Sequence, residues 1–198
     1  MTDLVLASKS AARAAMLEAT GLTVRLVPAN IDERALDEAW AAEGRSPAEI
    51  ARLLAEAKAV AVSRAHPEAV VIGADQTLAL GERRFSKAQS LAEARANLLA
   101  LRGRTHHLHS GVAAARGGVM LFAEVATADM TMRNFSEAFL DAYLASVGGR
   151  ILSSVGCYQF ESEGIQLFDR IEGDYFTILG MPLLPLLAGL RREGLIPS

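Results

Sequence analysis

The sequence lacks most of the features that stabilise a secreted protein or anchor a membrane protein. It contains a single cysteine, Cys157, so no disulfide can form within the chain, which suits a reducing compartment. The first residues, MTDLVLASKSAAR, have neither the basic start nor the long apolar run of a signal peptide. The apolar stretch from Met181 to Leu190 is too short for a membrane span and contains proline. We therefore expect a soluble, cytoplasmic protein with no membrane partner.

An excess of basic residues and the common nucleotide-binding motifs are also missing. The formal net charge is -3, which is a poor electrostatic footprint for a non-specific nucleic-acid binder. The sequence contains neither a GxxxxGK[ST] phosphate loop nor a GxGxxG motif after a strand. We expect no stable nucleic-acid partner, and an ordinary ATPase or a dinucleotide dehydrogenase is disfavoured.

Hydrophobic residues, by contrast, are abundant. They make up 51% of the 198 residues, which is enough to form a core without disulfides or a structural metal. The length fits a single domain over residues 1–198, or two small lobes around one cleft. No internal repeat or disordered linker interrupts the chain.

Strand and helix patterns alternate along the chain. Apolar runs predict strands at residues 4–7, 24–27, 70–72 and 166–171, and a hairpin of residues 108–115 and 119–133 around Gly117-Gly118. Helices are predicted at residues 11–20 and 181–193, after Ser136, and after two capping boxes, Ser46–Glu49 and Ser90–Glu93. Residues 30–33 are polar and loop-like. The alternation predicts an α/β fold.

Ser8, Ser10 and Arg13 form the first candidate site, in the turn between a buried strand and a helix. Backbone N–H groups at a helix start bind anions, and two hydroxyls and a guanidinium beside them would suit a polyphosphate. The alternative, which this segment alone favours, is that Ser10 is an N-cap and Arg13 a solvated helix residue.

Asp75 is the second candidate, directly after the apolar run that Gly73 ends. This is where α/β enzymes place catalytic groups, at the carboxyl end of the sheet. A turn aspartate that caps a nearby N–H is an equally good interpretation. Glu33, Lys58 and Lys87 are each more typical of solvated surface charges, and they gain meaning only if they converge on Asp75.

His106, His107 and His109 suggest zinc, and the last two would share one face of a strand. No cysteine or acid lies at metal-ligand spacing beside them, so a half-exposed edge strand is the better interpretation. Cys157 has no evident base partner in the sequence and is interpreted as a packing residue.

Taken together, these segments resemble the Maf family of nucleotide pyrophosphatases over nearly the whole chain. The resemblance rests on the order and spacing of LVLASKSAAR, IDE, AEAKA, VIGADQT, Lys87, LRGRTHHLHSGV, VGCYQFE and RIEGDYFTILGMPL. It implies an elongated mixed sheet with flanking helices, in two lobes around a central cleft of the Maf/ITPase-like type. It also implies a homodimer, a divalent cation (Mg²⁺ or Mn²⁺), and hydrolysis of a nucleoside triphosphate to monophosphate and pyrophosphate.

The resemblance assigns roles by position. Asp75 matches the proton acceptor, and Glu33 and Asp75 match the acidic positions on the metal side. The triphosphate-binding positions correspond to Ser8, Arg13, Lys58 and Lys87. Two departures keep these functional groups but are expected to loosen their loops: Ala11 and Ala88 stand where the family usually has proline.

Three further positions concern the base. The pyrimidine-type members carry Arg, Thr and Gln there, and the 7-methyl-GTP type carries Trp, Gln and Glu. This chain has Ala12, Gln76 and Glu161, which predicts 7-methyl-GTP or a related purine as substrate, in house-cleaning of the nucleotide pool. The alternatives are a dTTP/UTP-type pyrophosphatase, or a non-catalytic nucleotide-binding regulator of septum formation.

Overall fold

The computed structural model describes residues 2–197 and contains the predicted alternation of strands and helices. The strands are β1 (Leu4–Leu6), β2 (Val24–Leu26), β3 (Val70–Leu80), β4 (Arg83–Phe85), β5 (Thr105–Arg116), β6 (Val119–Met132) and β7 (Phe168–Glu172). The α-helices are α1 (Ala11–Ala19), α2 (Glu33–Ala42), α3 (Pro47–Ala65), α4 (Leu91–Leu101), α5 (Glu137–Val147), α6 (Tyr175–Ile178) and α7 (Leu183–Arg192). The predicted α/β class is confirmed.

The strands form a mixed sheet in the order β2-β1-β3-β5-β6-β7, with β4 paired to β3. β1 runs parallel to both β2 and β3, whereas β3–β4 and β6–β7 are antiparallel. At the β5–β6 turn, Gly117 and Gly118 have φ angles of 57° and 82°, as a two-residue hairpin turn requires. None of the described helices is long and apolar enough to cross a membrane.

The chain divides into two compact units. The first contains the chain up to Gln76, residues 109–127, and the segment from Asp174 onward; the second contains residues 77–108 and 128–173. The boundaries fall inside β3, β5 and β6. The single domain over residues 1–198 and the central cleft both stay predictions.

In the first unit, alternate residues of the parallel strands serve two different cores. Leu6 of β1 and Ile72 of β3 pack in one apolar cluster with residues of α1 and α7. Val5 and Val71, which point to the opposite face, pack with Val62 of α3. The strands are therefore covered on both faces, which is why they appear in the sequence as continuous apolar runs.

Helix α3 lies unusually close to the sheet of the first unit. A Cβ on Gly73 of β3 would lie 2.0 Å from the carbonyl oxygen of Ala55, and one on Gly111 of β5 would lie 2.3 Å from that of Ala51. Ala51, Ala55 and Ala59 recur every four residues on the helix, and all three are buried. Small residues on both sides thus let the backbone of α3 touch the strands.

Two details differ from the sequence-based expectations. Gly73 does not end its strand, because the missing side chain makes room for α3 and β3 continues to Leu80. Glu33 is not in a loop: it is the first residue of α2, whose N-cap Asp32 accepts from Ala35 N at 3.0 Å. No residue of α2 is buried, although Leu36 and Trp40 stand at helical spacing.

The capping boxes also differ from each other. Ser46 and Glu49 make both reciprocal bonds, as predicted. Ser90 accepts from Glu93 N at 3.2 Å, but the Glu93 carboxylate accepts from Gln89 N at 2.8 Å instead of from Ser90. The second box is therefore only half formed, although α4 still begins at the predicted place.

The second unit has its own aromatic core. His106, Tyr158 and Phe168 lie ring against ring, and Tyr158 meets Phe168 edge to face at 4.9 Å between centroids. On the surface, Arg95 of α4 binds Glu137 and Asp141 of α5 at 2.7 and 2.9 Å. These pairs join two helices that the sequence analysis placed but could not pair.

Candidate functional site

Lys58 forms the centre of an ion cluster in the first unit. Only 6% of the residue is exposed, and its Nζ lies 2.6 Å from Asp75 Oδ1 and 2.8 Å from Glu33 Oε2. A buried ammonium needs such partners, because removal from water costs several kcal/mol unless opposite charge replaces the water. Glu33 and Lys58 thus converge on Asp75, and neither Lys58 nor Asp75 is a solvated surface charge.

Asp75 lies inside β3 and not after it, which corrects the expected position at a strand end. Its side chain is 12% exposed and points to the face that carries Gly73 and α3. Because Gly73 lets α3 approach, the helix residue Lys58 can reach this carboxylate with a short, charge-assisted bond. The turn-cap interpretation of Asp75 is wrong, since its carboxylate accepts from a lysine of another element.

Arg13 is anchored to the backbone of the same unit. Its Nε donates to Gly180 O at 2.9 Å and its Nη1 donates to Ala74 O at 2.8 Å. Burial lowers the pKa of the guanidinium, while the negative charges of Asp75 and Glu33 act in the opposite direction. The interpretation of Arg13 as a solvated helix residue is therefore wrong.

The turn between β1 and α1 is held by two serine hydroxyls. Ser8 Oγ accepts from Ser10 N at 3.1 Å, and Ser10 Oγ accepts from Arg13 N at 3.3 Å. The N-cap interpretation of Ser10 is thus correct, and α1 begins at Ala11 although no proline stands there. Ala12 is exposed in the first turn of this helix.

Gln76 projects to the opposite face of β3 from Asp75. Its Nε2 lies 2.9 Å from Ser110 Oγ, 3.1 Å from Thr177 O and 3.0 Å from Ile178 O. Ser110 in turn donates to Thr177 O at 2.7 Å. Ser110 had no predicted role. The only signal for it in the sequence is its place directly before the apolar run GVAAA, and the structure shows it fully buried.

Lys87 and Glu161 belong to the second unit. Lys87 is exposed between β4 and α4, and its carbonyl oxygen accepts from Gln89 Nε2 at 3.1 Å. Ala88, at the second proline position, is buried beside it. Glu161 is exposed in a turn that precedes a short 3-10 helix, Glu163–Leu167.

The histidines do not form a metal centre. Nδ1 of His107 lies 2.7 Å from Asp129 Oδ1, and Nδ1 of His109 lies 2.8 Å from Thr127 Oγ1. Within residues 2–197 no group of three histidine, cysteine or acidic side chains could hold an ion. The expected shared face is present, but β5 lies between β3 and β6 and is not an edge strand.

His106 and Cys157 are interior residues of the second unit. Nε2 of His106 lies 2.8 Å from Tyr158 Oη, and burial lowers the pKa of this histidine to about 3, with a smaller contribution from His107. Burial raises the pKa of the Cys157 thiol, as expected of a packing residue. Neither group is suited to act as a base or nucleophile at neutral pH.

The chemistry of the Lys58 cluster fits a divalent cation bound together with substrate. Two carboxylates, of Glu33 and Asp75, lie within 2.8 Å of the same nitrogen. Mg²⁺ is commonly held by one or two carboxylates together with substrate phosphates, and not by a full cage of protein ligands. The donor set therefore suits Mg²⁺ or Mn²⁺, with Lys58 as the neighbouring positive charge.

Comparison with known proteins identifies the family. Residues 3–193 match the family described as Maf-like protein. The chain is 53% identical to a 7-methyl-GTP pyrophosphatase of Mesorhizobium japonicum, with 99% of each chain covered, and 51% identical to one of Rhizobium meliloti, with 98% of each covered. It is also 53% identical to a nucleoside triphosphate pyrophosphatase of Granulibacter bethesdensis over 96% of both chains.

Similarity to solved structures is weaker. A structure titled as a HAM1 protein from Coxiella burnetii matches 68% of this chain and 75% of its own, with a TM-score of 0.45 and 17% identity. The family assignment therefore rests on the sequence, through the profile match and the full-length relatives. On that evidence, the chain belongs to the family of Maf-like proteins.

Proposed function

We propose that this chain is a nucleoside triphosphate pyrophosphatase, a hydrolase that releases a nucleoside monophosphate and pyrophosphate. The observation that carries the proposal is the buried ion pair of Lys58 and Asp75, with the half-exposed Glu33 as a second partner of Lys58. A cluster of charges held out of water is costly, and a scaffold would gain nothing from it. The relatives that match over the full chain, a 7-methyl-GTP pyrophosphatase and a nucleoside triphosphate pyrophosphatase, support the same reaction.

Asp75 is the proposed general base. In the reaction, water attacks the α-phosphorus while negative charge grows on the oxygen that bridges to pyrophosphate. A carboxylate fixed by Lys58 at 2.6 Å can orient and deprotonate that water. The short bond from β3 to α3 holds the carboxylate in one geometry, which is the main requirement for such a base.

Cations would balance the charge of the triphosphate. We assign Ser8, Arg13, Lys58 and Lys87 to the phosphates. Arg13 is already oriented by Ala74 O and Gly180 O, so little of its side-chain entropy would be lost on binding. Preoriented positive charge in a site with little water stabilises the growing charge of the leaving group.

A divalent cation, Mg²⁺ or Mn²⁺, is part of the proposal. Glu33 and Asp75 would hold it together with phosphate oxygens. When bound, the ion supplies positive charge that polarises the phosphoryl oxygens. Glu33 is half exposed, so its carboxylate can exchange Lys58 for the ion with little loss of packing.

We propose 7-methyl-GTP or a related purine as the preferred substrate. Gln76 and Glu161 match the 7-methyl-GTP type, and a carboxylate at Glu161 could accept from both N1–H and the amino group of a guanine edge. Ala12 lacks an aromatic face to stack on the charged base, a contact worth ~0.5–2 kcal/mol, so we expect a broader and weaker preference than in a tryptophan-bearing relative. Cytoplasmic location and a homodimer are further proposals.

One assay separates these proposals from their alternatives. Pyrophosphate release is measured with Mg²⁺ or Mn²⁺ and, in parallel, 7-methyl-GTP, GTP, dTTP, UTP and CTP. We expect monophosphate and pyrophosphate from the purines, and chelation should stop the reaction. A preference for dTTP or UTP of about tenfold, ~1.4 kcal/mol in the transition state, would favour the pyrimidine type. Binding without any hydrolysis would favour a regulator, and diphosphate as the main product would contradict the reaction itself.

A further inference from the structure

The turn of residues 177–180 in the first unit is fastened by side chains that reach it from three other elements. Gln76 of β3 and Ser110 of β5 bind the carbonyl oxygens of residues 177 and 178, and Arg13 of α1 binds that of Gly180. Carbonyls at the end of a helix lack partners within it, and α6 ends at Ile178. The three side chains therefore supply partners for Ile178 O and Gly180 O, and further donors for Thr177 O, which also accepts from Gly180 N at 3.1 Å.

This arrangement fixes the orientation of the Gln76 amide. Thr177 O and Ile178 O can only accept hydrogen bonds, and both lie within 3.1 Å of Nε2. Reversing the amide would place Oε1 against two carbonyl oxygens, which would repel it. The nitrogen must therefore face residues 177 and 178, and the oxygen must lie on the other side of the amide carbon.

Ser110 completes this assignment. Its hydroxyl is fully buried and has one hydrogen, which it donates to Thr177 O at 2.7 Å. The oxygen is then left to accept from Gln76 Nε2 at 2.9 Å. Because Ser110 bonds both the amide and the carbonyl that the amide faces, it holds Gln76 and the turn in one arrangement.

We infer that Ser110 is a positioning residue which makes Gln76 present a hydrogen-bond acceptor, its Oε1, to the base of the substrate. This inference rests on the proposed function and deepens it. An acceptor favours bases with an N–H at that edge, such as N1–H of guanine or N3–H of uracil. It disfavours bases with an unprotonated nitrogen there, such as 2-aminopurine or cytosine.

The test is the ratio of kcat/KM between matched nucleotides. GTP is compared with 2-aminopurine riboside triphosphate, and UTP is compared with CTP, in the wild type and in Ser110→Ala. The wild type should prefer the N–H partner of each pair by about tenfold or more. Ser110→Ala removes the hydroxyl that links the amide to Thr177 O, so Gln76 and the turn are held less firmly and the ratio should fall. Ser110→Thr, which keeps the hydroxyl, should restore it.

Ser63→Ala is the matched control. Ser63 is also a fully buried serine of the first unit, and its Oγ accepts from Gly118 N at 3.0 Å and donates to Val60 O at 3.0 Å. Its loss should lower the melting temperature without changing either ratio. If Ser110→Ala does not fold, Ser110→Cys provides the test, since a thiol has similar shape and is a weak hydrogen-bonding group.

Two results would overturn the inference. One is an unchanged ratio in a folded Ser110 variant, and the other is an equal loss of ratio in Ser63→Ala. Failure of the proposed function is distinguishable, because the wild type would then release pyrophosphate from none of the nucleotides. In that case dissociation constants are measured by calorimetry for the same pairs of nucleotides. The same two results, now in the ratios of dissociation constants, would overturn the inference.

Discussion

The two units hold their candidate functional residues in different ways. In the first unit, Lys58, Asp75 and Arg13 are bound to protein groups before any substrate arrives. In the second unit, Lys87 and Glu161 are exposed to solvent. Folding fixes the side chains of the first unit, whereas those of the second unit would be fixed only when a ligand binds.

This difference predicts which residues couple function to stability. A side chain that is already desolvated and paired contributes to folding as well as to chemistry, so its replacement should change both. An exposed side chain loses rotamer freedom only on binding, so its replacement should change binding alone. The following experiments test whether the two units differ in this way.

The largest effect is expected for Asp75→Asn. Loss of a positioned general base should lower turnover by ~10²–10⁴. The fold should survive, because the amide has nearly the shape of the carboxylate and can still accept from Lys58. Turnover is measured by pyrophosphate release, with circular dichroism as the control for folding. Turnover close to that of the wild type would refute the role of Asp75.

Lys58→Ala and Lys87→Ala compare the two units directly. Both substitutions should weaken the binding of all nucleoside triphosphates by about the same factor, because a point charge does not discriminate between bases. Only Lys58→Ala should also lower the free energy of unfolding, by about 1–3 kcal/mol, because Asp75 then stays buried without a partner. Urea denaturation measures this difference. Equal stability losses, or a changed ranking of substrates, would contradict the comparison.

Gly73→Ala tests the close approach of α3. The new Cβ would lie 2.0 Å from Ala55 O and 2.8 Å from Ala59 N, so the helix must move away from β3. We expect a loss of about 1–3 kcal/mol in the free energy of unfolding, together with reduced turnover as Lys58 moves from Asp75. The control is Gly149→Ala in the second unit, where a Cβ would meet nothing within 4 Å. Similar losses in both variants would be evidence against the close contact as the cause.

Acid should destabilise the second unit through His106. The folded protein holds the pKa of this histidine at about 3, below its ordinary value of 6.5, so the unfolded chain binds the proton first. Its contribution to stability is therefore complete above about pH 6.5 and is lost as the pH falls towards 3, at up to ~1.4 kcal/mol per pH unit. In His106→Phe, the unfolding free energy measured between about pH 7 and pH 5 should depend less on pH. An unchanged slope would show that other groups cause the acid sensitivity.

The smallest effect is expected for Glu161→Gln. The residue is exposed, so the melting temperature should stay within error of the wild type. The preference for 7-methyl-GTP over UTP should fall by about tenfold, since the amide oxygen can accept only one of the two hydrogen bonds that the carboxylate would accept. Side-by-side kcat/KM values measure it. A large drop in melting temperature would instead assign Glu161 a structural role.

Much of the fold was predictable because its signals are local. Ser46-Pro47 and Ser136 mark helix starts, and Gly117-Gly118 requires the positive φ angles of a hairpin turn. Helix α2 was not predicted, although Leu36 and Trp40 stand at helical spacing, because its polar start at residues 30–33 resembles a loop. The end of β3 was predicted too early, because a glycine after an apolar run is typical of a turn. The actual role of Gly73 is to make room for α3, a contact that the local sequence does not indicate.

For part of the candidate site, the sequence indicated which residues lie together but not how they are held. Family resemblance named Glu33, Lys58 and Asp75, and the structure brings these three together. Nothing local indicated that Arg13 would bind Gly180 O, which lies 167 residues further along the chain. Contacts of that kind are set by tertiary packing, and a single sequence does not record them.

The way the chain passes between the units has a consequence for its synthesis. The first unit is assembled from stretches that are interrupted by residues 77–108 and 128–173. A growing chain can place Lys58 beside Asp75 early, but the carbonyls that fix Arg13 and Gln76 belong to residues 177–180. A truncated product that ends at Gly173 would therefore carry every proposed phosphate-binding residue and still lack the Gly180 carbonyl that Arg13 binds. We expect such fragments to be inactive.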